Sequence, residues 1–145
     1  MYLASVMDLC SRKVVDFQMG ERMTKELVIG ALEKSYNQHR PEPGLIHHSD
    51  RGSQYASHDY QERLKQYQML GSMSRKGNCY DNACIEAFHS VLKKELIYQE
   101  KFKTREQARK RIFEYIVCFY NGVRLHSTLG FQSPNQYERT CCSMT

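Results

Sequence analysis

The sequence has 145 residues, of which 41% are hydrophobic and 26% charged, and its formal net charge is +5. This length predicts one domain covering residues 1–145, with enough apolar residues for an ordinary core. No apolar run approaches the ~18 residues of a membrane span and no signal peptide is readable, so membrane partners are not expected. Six cysteines without a CxxC pair predict a reduced, cytoplasmic protein rather than a disulfide framework.

The first third of the chain alternates strand and helix patterns. Apolar runs at residues 2–9 and 13–19 predict two strands joined by a tight turn. Helical spacing begins after Thr24 and ends at the Pro-Glu-Pro-Gly segment 41–44. Residues 45–49 then form the next strand candidate. This order is typical of a mixed α/β domain.

The middle of the chain continues the alternation. Ser57 is placed to cap a second helix, and residues 71–74 form a short strand candidate. Residues 75–80 show no periodicity and are predicted to form a loop. A third helix is predicted from Asp81 to about Tyr98.

A fourth helix is predicted after the segment Thr104-x-x-Gln107, which has the form of a capping box. After Asn121 the chain is predicted to be irregular through Pro134. The apolar spacing predicts the core-facing positions of the third and fourth helices, which are Ile85, Phe88, Leu92, Leu96, Ala108, Ile112, Tyr115, Ile116 and Phe119.

Basic residues are concentrated between positions 93 and 111, where eight Lys and Arg residues accompany three Glu residues. Two interpretations of this run stay open. It is either a solvated helix face, which is the usual outcome for a charge run, or a stripe that faces nucleic-acid phosphates. The basic residues are Lys93, Lys94, Lys101, Lys103, Arg105, Arg109, Lys110 and Arg111.

Two acidic residues stand out by their position. Asp50 follows the strand candidate 45–49, and Glu86 lies in the first turns of the third helix, off its apolar stripe. Lys93 follows Glu86 by two helical turns, about 10 Å along the same face. Converging carboxylates could hold Mg²⁺ for phosphoryl transfer, with two ions ~4 Å apart. The residue types alone favour the alternative, which is an Asx-turn at Asp50 and a surface acid at Glu86.

Three segments of the sequence carry a family resemblance: HSDRGSQY at 48–55, GNCYDNACIEAFHSVLKKEL at 77–96 and YNGVRLHSTLGFQSPNQYE at 120–138. Together they resemble the integrase catalytic core of bacterial insertion-sequence transposases of the retroviral-integrase-like class, over nearly the whole chain. The resemblance implies a ribonuclease-H-like fold, a mixed sheet flanked by helices, and a catalytic Asp-Asp-Glu triad. In the family 35 residues separate the last two triad members, as they separate Asp50 from Glu86 here.

The resemblance also implies roles for individual residues. Asp50 matches the second catalytic Asp and Glu86 the catalytic Glu, so both are expected to bind Mg²⁺ or Mn²⁺, with two ions in the complete enzyme. Lys93 matches a basic residue that contacts DNA near the active site. Arg124 belongs to the closing motif, which we interpret as architectural with Arg124 near DNA. Further contacts to the phosphate backbone are expected from Lys94, Arg109 and Lys110.

The family's first catalytic Asp lies on a strand upstream of the one that residues 2–4 resemble, and that segment is absent from this sequence. We therefore expect an N-terminally truncated core whose sheet lacks its first strand and presents unpaired strand edges. Asp8 is the nearest substitute by spacing. It matches a family position where the Asp is not a metal ligand, so we do not expect it to complete the triad.

The leading interpretation is a DNA strand transferase that performs metal-dependent phosphodiester cleavage and strand transfer on transposon ends and target DNA. We expect it to act as a homo-oligomer in the bacterial cytoplasm, associated with the nucleoid. Two alternatives are a non-catalytic DNA-binding or oligomerising remnant of a transposase, and a ribonuclease-H-like nuclease outside transposition. A zinc site built from His47, His48 and Asp50 is disfavoured, because adjacent strand residues point to opposite faces.

Overall fold

A computed structural model describes residues 2–49, 53–73 and 83–143. The strands are β1 (Tyr2–Met7), β2 (Val14–Gly20), β3 (Ile46–Ser49) and β4 (Leu70–Met73). The helices are α1 (Lys25–His39), α2 (Ser53–Ala56), α3 (His58–Gln66), α4 (Ala83–Leu92), α5 (Arg105–Glu114) and α6 (Pro134–Ser143). A π-helical turn extends α4 over Lys93–Ile97 and another extends α5 over Tyr115–Tyr120. The mixed α/β class is confirmed, and no described helix is long and apolar enough to cross a membrane.

The described strands form two separate two-stranded sheets, β1 with β2 and β3 with β4. β3 and β4 are parallel, and His47 is the register partner of Gly71. Each sheet has two strands among the described residues. The expectation of a sheet that lacks its first strand and presents unpaired edges stays a prediction.

The chain divides into two compact units. Unit 1 contains Met1–Val6 and Asp16–Ala83, and unit 2 contains Met7–Val15 and Cys84–Thr145. The expectation that residues 1–145 form one domain stays a prediction. The predicted loop at 75–80 lies outside the described residues.

The core of unit 1 is built on α1 and α3. Both helices begin after a hydroxyl residue that caps them, as was expected for Ser57: Ser57 Oγ accepts from Tyr60 N at 3.3 Å, and Thr24 Oγ1 accepts from Leu27 N at 3.3 Å. Tyr36 stacks on Tyr67 with ring centroids 3.8 Å apart. The buried side chains of this core are Ala4, Leu27, Val28, Ala31, Leu32, Tyr60, Leu64 and Met69.

The core of unit 2 is built on α4, α5 and their π-helical extensions. Seven of the nine predicted core-facing residues are buried: Phe88, Leu92, Leu96, Ala108, Ile112, Tyr115 and Ile116. Ile85 is half-buried, and the prediction for Phe119 is wrong, because this side chain is 40% exposed. The π-helical turn bonds residue i to i+5, which advances the register by one position, so Tyr120 is buried in its place at 4% exposure.

The last helix, α6, was not predicted, although residues 133–136 carry its signal. Ser133 Oγ accepts from Gln136 N at 3.3 Å, and Gln136 Oε1 accepts in return from Ser133 N at 3.0 Å. Pro134 occupies the first helical position, where its missing N–H costs nothing. The segment is therefore a capping box that opens a helix, which corrects the expectation of irregular chain ending at Pro134.

We expect Ser133→Ala to lower the free energy of unfolding by about 1 kcal/mol, because the substitution leaves the Gln136 N–H without its acceptor in a buried cap. Urea denaturation measures this change. Ser127→Ala is the matched control, since Ser127 is exposed in a short 3-10 turn, and no change beyond about 0.5 kcal/mol is expected there. Equal losses in both variants would contradict the capping role.

Candidate functional site

The strand that leads to Asp50 is β3, in unit 1. Asp50 itself lies outside the described residues, so its catalytic and metal-binding roles stay predictions. Ser49, the last residue of β3, is 8% exposed. On the other side α2 begins at Ser53, and Gln54 Nε2 in that helix donates to the carbonyl oxygen of Met23 at 3.1 Å. The described residues on both sides of Asp50 are therefore held by contacts within unit 1.

His47, three residues before Asp50, contacts a buried tyrosine. Its Nε2 lies 2.6 Å from Tyr60 Oη, and Tyr60 is 1% exposed. Burial, followed by the charge of neighbouring His48, lowers the pKa of His47 to about 4. Burial raises the pKa of Tyr60 above its usual value. Both shifts favour the neutral side chains at pH 7, between which one group can donate the hydrogen bond and the other accept it.

Glu86 is exposed in the first turns of α4, in unit 2. The apolar face of this helix is buried, since Phe88 and Leu92 are 1% and 5% exposed. Within the described part of the chain, no hydrogen bond or ion pair engages the Glu86 carboxylate. No described side chain therefore competes with a cation or water for its two oxygens.

The chemistry of this donor fits a hard divalent cation. Magnesium prefers carboxylate oxygens and completes its coordination shell with water and phosphate oxygens, so it needs few protein ligands. Glu86 supplies one such carboxylate, and the second expected ligand, Asp50, lies outside the described ranges. Within residues 2–49, 53–73 and 83–143, no group of three or more His, Cys, Asp or Glu side chains is arranged to hold a metal.

Lys93 and Lys94 open the π-helical turn that extends α4, and both are exposed. Burial, followed by the charge of Lys93, lowers the pKa of His89, which places the Lys93 ammonium near this histidine one turn earlier. No acidic side chain of the described residues forms an ion pair with either lysine. The helix that carries Glu86 thus continues into two ammonium groups that are available to phosphates. Their DNA contacts stay a prediction.

Arg124 is already engaged by a carboxylate. Its Nε and Nη2 both lie 3.1 Å from carboxylate oxygens of Glu95, which also accepts from Tyr115 Oη at 2.7 Å. Burial acts to raise the pKa of Glu95, but the hydrogen bonds from Arg124 and Tyr115 outweigh it and lower that pKa. The ion pair between Arg124 and Glu95 joins the closing motif to the helical segment that contains Lys93 and Lys94. This contact supports the architectural role expected of the motif. The DNA contact predicted for Arg124 stays a prediction.

The basic run on α5 is only partly available. Arg109 and Lys110 are exposed and have no ion-pair partner within the described ranges. Arg111 instead donates to Glu100 at 2.7 and 3.0 Å and to Glu114 at 2.7 Å. The two interpretations of the charge run stay open, and the DNA contacts expected from Arg109 and Lys110 stay a prediction. Arg111 has a structural role, while Arg109 and Lys110 have no described partner that would compete with phosphate.

Asp8 closes the turn between β1 and β2. Its Oδ1 accepts from Cys10 N at 2.9 Å and its Oδ2 accepts from Ser11 Oγ at 3.2 Å. The backbone N–H of Asp8 donates to the carbonyl oxygen of Lys13 at 2.9 Å. Both carboxylate oxygens thus serve the turn, which supports the expectation that Asp8 is not a triad residue.

Asn121, in the closing motif, has a role that the sequence did not reveal. Its Oδ1 accepts from Val14 N and its Nδ2 donates to Val14 O, each at 3.0 Å and both buried. Its own carbonyl accepts from Asn135 N at 2.9 Å. The side chain pairs with β2 as a neighbouring strand residue would. The asparagine was visible in the motif, but its partner lies 107 positions away.

The sequence relatives of the chain are bacterial transposases. It is 46% identical over 139 residues to the transposase for insertion sequence element IS904 of Lactococcus lactis, covering 96% of this chain and 55% of that protein. It is 48% identical over 138 residues to transposase InsF for insertion sequence IS3A of Escherichia coli, covering 95% of this chain and 48% of that protein. The chain thus spans about half the length of these curated relatives.

The solved structures that resemble this fold are retroviral integrase cores. The catalytic core domain of BIV integrase superposes with a TM-score of 0.71 at 19% identity, covering 98% of this chain and 88% of that one. The HTLV-2 integrase catalytic core domain in complex with magnesium, in a trimeric form, gives 0.63 at 16% identity, covering 90% and 80%. The fold is therefore that of the ribonuclease-H-like integrase cores.

Two family matches cover most of the chain. Residues 1–79 match one integrase core domain family, and residues 86–141 match a second family of the same description. The chain belongs to the integrase core domain family. The two relatives described above are transposases of insertion sequences.

Proposed function

We propose that this chain is the catalytic core of a DNA transposase, which cleaves phosphodiester bonds at transposon ends and transfers the strands to target DNA. The observation that carries the proposal is the exposed Glu86 carboxylate, on a helix that continues into Lys93 and Lys94, in a chain of the integrase core family. The relatives named as transposases, 46% and 48% identical over nearly the whole chain, support it.

Asp50 and Glu86 are the proposed catalytic residues and metal ligands. Bound Mg²⁺ or Mn²⁺, two ions in the complete enzyme, supplies the charge neutralisation that an in-line phosphodiester displacement needs. The HTLV-2 integrase core was solved in complex with magnesium, which supports this choice of ion. Glu86 contributes a carboxylate on a regular helix, so the ligand needs little rearrangement when metal and DNA arrive.

The phosphate backbone is the proposed partner of the exposed basic residues. Lys93 and Lys94 lie along the helix that bears Glu86, so phosphates bound there would be held near the reacting bond. Binding through ammonium and guanidinium groups is independent of base sequence and falls steeply with salt. The remaining proposed contacts are Arg109, Lys110 and Arg124.

We also propose that the active form is a homo-oligomer in the bacterial cytoplasm, associated with the nucleoid. The HTLV-2 core described as a trimeric form supports oligomerisation, and the bacterial insertion-sequence relatives support the location. Transposon ends and target DNA would be brought together in such an assembly.

A strand-nicking assay with supercoiled DNA and either Mg²⁺ or Mn²⁺ tests the proposed activity. Cleavage that requires the metal and both Asp50 and Glu86 is the expected result. Salt-sensitive DNA binding without metal-dependent cleavage would instead identify a non-catalytic remnant. Metal-dependent cleavage of RNA–DNA hybrids, but not of duplex DNA, would identify a nuclease outside transposition.

We expect Lys93→Ala and Lys94→Ala each to reduce the salt dependence of DNA binding. The slope of log K against log salt should become shallower by about 1 for each phosphate that is no longer neutralised. The loss of affinity should be similar for DNA of unrelated sequences, because phosphate contacts carry no base information. Fluorescence anisotropy over a series of salt concentrations measures both quantities.

Lys25→Ala is the matched control for these variants. It removes the same charge from a lysine whose Nζ is 2.7 Å from Asp59 Oδ2, in unit 1. Its slope should equal that of the parent chain. An equal change of slope in all three variants would show an effect of net charge and would contradict a phosphate contact at Lys93 or Lys94.

A further inference from the structure

Arg12 is a half-buried cation for which the described residues provide no carboxylate partner. It lies in the turn between β1 and β2, which belongs to unit 2. Its backbone N–H donates to the carbonyl oxygen of Asp8 at 2.7 Å, and its φ of 62° lies in the left-handed region. The Asp8 carboxylate accepts from Cys10 N and Ser11 Oγ rather than from Arg12. The turn therefore keeps an arginine where glycine would fit more easily, and it leaves the charge of that arginine uncompensated.

The Arg12 guanidinium lies beside two aromatic rings of unit 2. Its Nη1 donates to Cys84 Sγ, on α4, at 2.5 Å. Burial, followed by the charges of Arg124 and Arg12, lowers the pKa of His126. Burial raises the pKa of Tyr120, and the same two charges act against this increase. The two rings meet edge to face with centroids 5.0 Å apart. Two guanidinium groups therefore share one small neighbourhood of the structure.

The two guanidinium groups differ in what compensates their charge. Arg124 forms an ion pair with Glu95, in which Nη2 lies 3.1 Å from Oε2. The described side-chain contact of Arg12 is a thiol sulfur, which is a weak hydrogen-bond acceptor. Removing a charge from water without a counter-charge costs free energy, and a second cation nearby adds repulsion. An anion at Arg12 would relieve both costs, and the planar guanidinium matches phosphate oxygens in particular.

We propose that Arg12 binds a phosphate group of the DNA backbone, which supplies the counter-charge that the described residues do not. The inference rests on the proposed function, in which this chain binds DNA. It adds a residue outside the basic run at 93–111 and outside the closing motif. Cys84, which Arg12 contacts, precedes Glu86 by two residues on α4, so the phosphate would lie near the first turn of the helix that carries Glu86. Such a contact carries no base information.

Arg12→Gly in the full chain tests the inference, with binding to duplex DNA measured by fluorescence anisotropy in the absence of divalent metal. We expect the slope of log K against log salt to become shallower by about 1, as for the loss of one phosphate contact. The melting temperature of the free chain should not fall, because glycine adopts a φ of 62° without strain. An unchanged slope would overturn the inference, whatever the melting temperature.

Lys13→Ala is the matched control for this variant. Lys13 is the next residue of the same turn, and its Nζ lies 3.6 Å from Glu138 Oε1. The substitution removes the same charge from a cation that has an internal partner, so its slope should equal that of the parent chain. An equal change of slope in Lys13→Ala and Arg12→Gly would show an effect of net charge and would overturn the phosphate contact.

Arg12→Lys and Arg12→Gln keep the test valid if Arg12→Gly folds poorly. Both keep a long side chain with N–H donors, but only Arg12→Lys keeps the charge. Arg12→Lys should retain the slope of the parent chain, whereas the slope of Arg12→Gln should be shallower by about 1. Equal slopes for these two variants would overturn the inference.

Cys84→Ala separates a phosphate contact of Arg12 from its contact with α4. This variant removes the thiol and leaves the guanidinium in place, so we expect the slope of the parent chain. A slope as shallow as that of Arg12→Gly would show that Arg12 acts by holding Cys84, and the inference would be wrong.

Lys93→Ala, measured in the same series, separates this inference from the proposed function. If Lys93→Ala gives a shallower slope and Arg12→Gly does not, the inference about Arg12 is wrong and the proposed DNA binding stands. If the parent chain shows no salt-dependent binding of DNA, the proposed function fails, and the inference about Arg12 fails with it.

Discussion

Replacing Glu86 with glutamine is expected to reduce metal-dependent strand cleavage at least about a hundredfold while leaving the fold intact. Residues that merely support a metal ligand are worth about 10- to 100-fold, and a ligand itself should be worth more. Glu86 is exposed and has no partner among the described residues, so the substitution removes no described contact and we expect the melting temperature to stay unchanged. DNA binding without metal should be unchanged or slightly tighter, because a negative charge near the phosphates is removed.

Glu106→Gln is the matched control for this substitution. Glu106 is an exposed acid in the first turn of α5, so the same charge is removed from a comparable helical position. Cleavage rates for the two variants are compared in gel assays with Mg²⁺ and with Mn²⁺. Cleavage by Glu86→Gln at the rate of the parent chain would exclude Glu86 as a catalytic ligand.

The availability of Glu86 could be predicted from the sequence because it depends on one helix only. Helical spacing placed Phe88 and Leu92 inward and left Glu86 outside their stripe, and the structure agrees. The caps at Thr24 and Ser57 were predictable for the same reason, since each involves a hydroxyl and an N–H three residues apart. Helical spacing and caps can be predicted from sequence because the residues involved are only three or four positions apart.

Features that depend on distant partners could not be predicted in this way. The π-helical turn that exposes Phe119 and buries Tyr120 changes the register of a helix whose apolar pattern is compatible with either phase. Arg124 was expected near DNA because it belongs to the closing motif. Its described partner is Glu95, 29 positions earlier, and the DNA contact stays a prediction. The sequence around Arg124 and around Glu95 does not distinguish an internal ion pair from a contact between Arg124 and a DNA phosphate.

The sequence contained the signal for helix α6, but we interpreted that signal incorrectly. Ser133-Pro134-Asn135-Gln136 combines a capping hydroxyl, a proline at the first helical position and a glutamine at the third. The proline was interpreted as the end of an irregular segment, whereas it opens a helix. Proline therefore indicates a boundary, and the residues around it decide on which side the helix lies.

Asn121→Ala is expected to cause the largest loss of stability among these variants, about 2 to 6 kcal/mol. The substitution leaves the N–H and the C=O of Val14 buried without partners, at about 1 to 3 kcal/mol for each. This is a large fraction of the ~5 to 15 kcal/mol that stabilises a typical domain. Urea denaturation measures the loss, and hydrogen exchange at the Val14 amide should become faster before other amides of unit 2 respond.

The exposed Asn37 of α1 provides the control, since Asn37→Ala should change stability by less than about 0.5 kcal/mol. Asn121→Asp gives a sharper test of the two bonds. A carboxylate still accepts from the Val14 N–H, but it cannot donate to the Val14 carbonyl and places a buried charge against that oxygen, so it should not restore stability. If Asn121→Asp were as stable as the parent chain, the pairing with β2 would not be the reason for an asparagine at this position. If it is as unstable as Asn121→Ala or more so, this residue of the closing motif acts by holding Val14 in place within unit 2, which accounts for an architectural role without any contact to DNA.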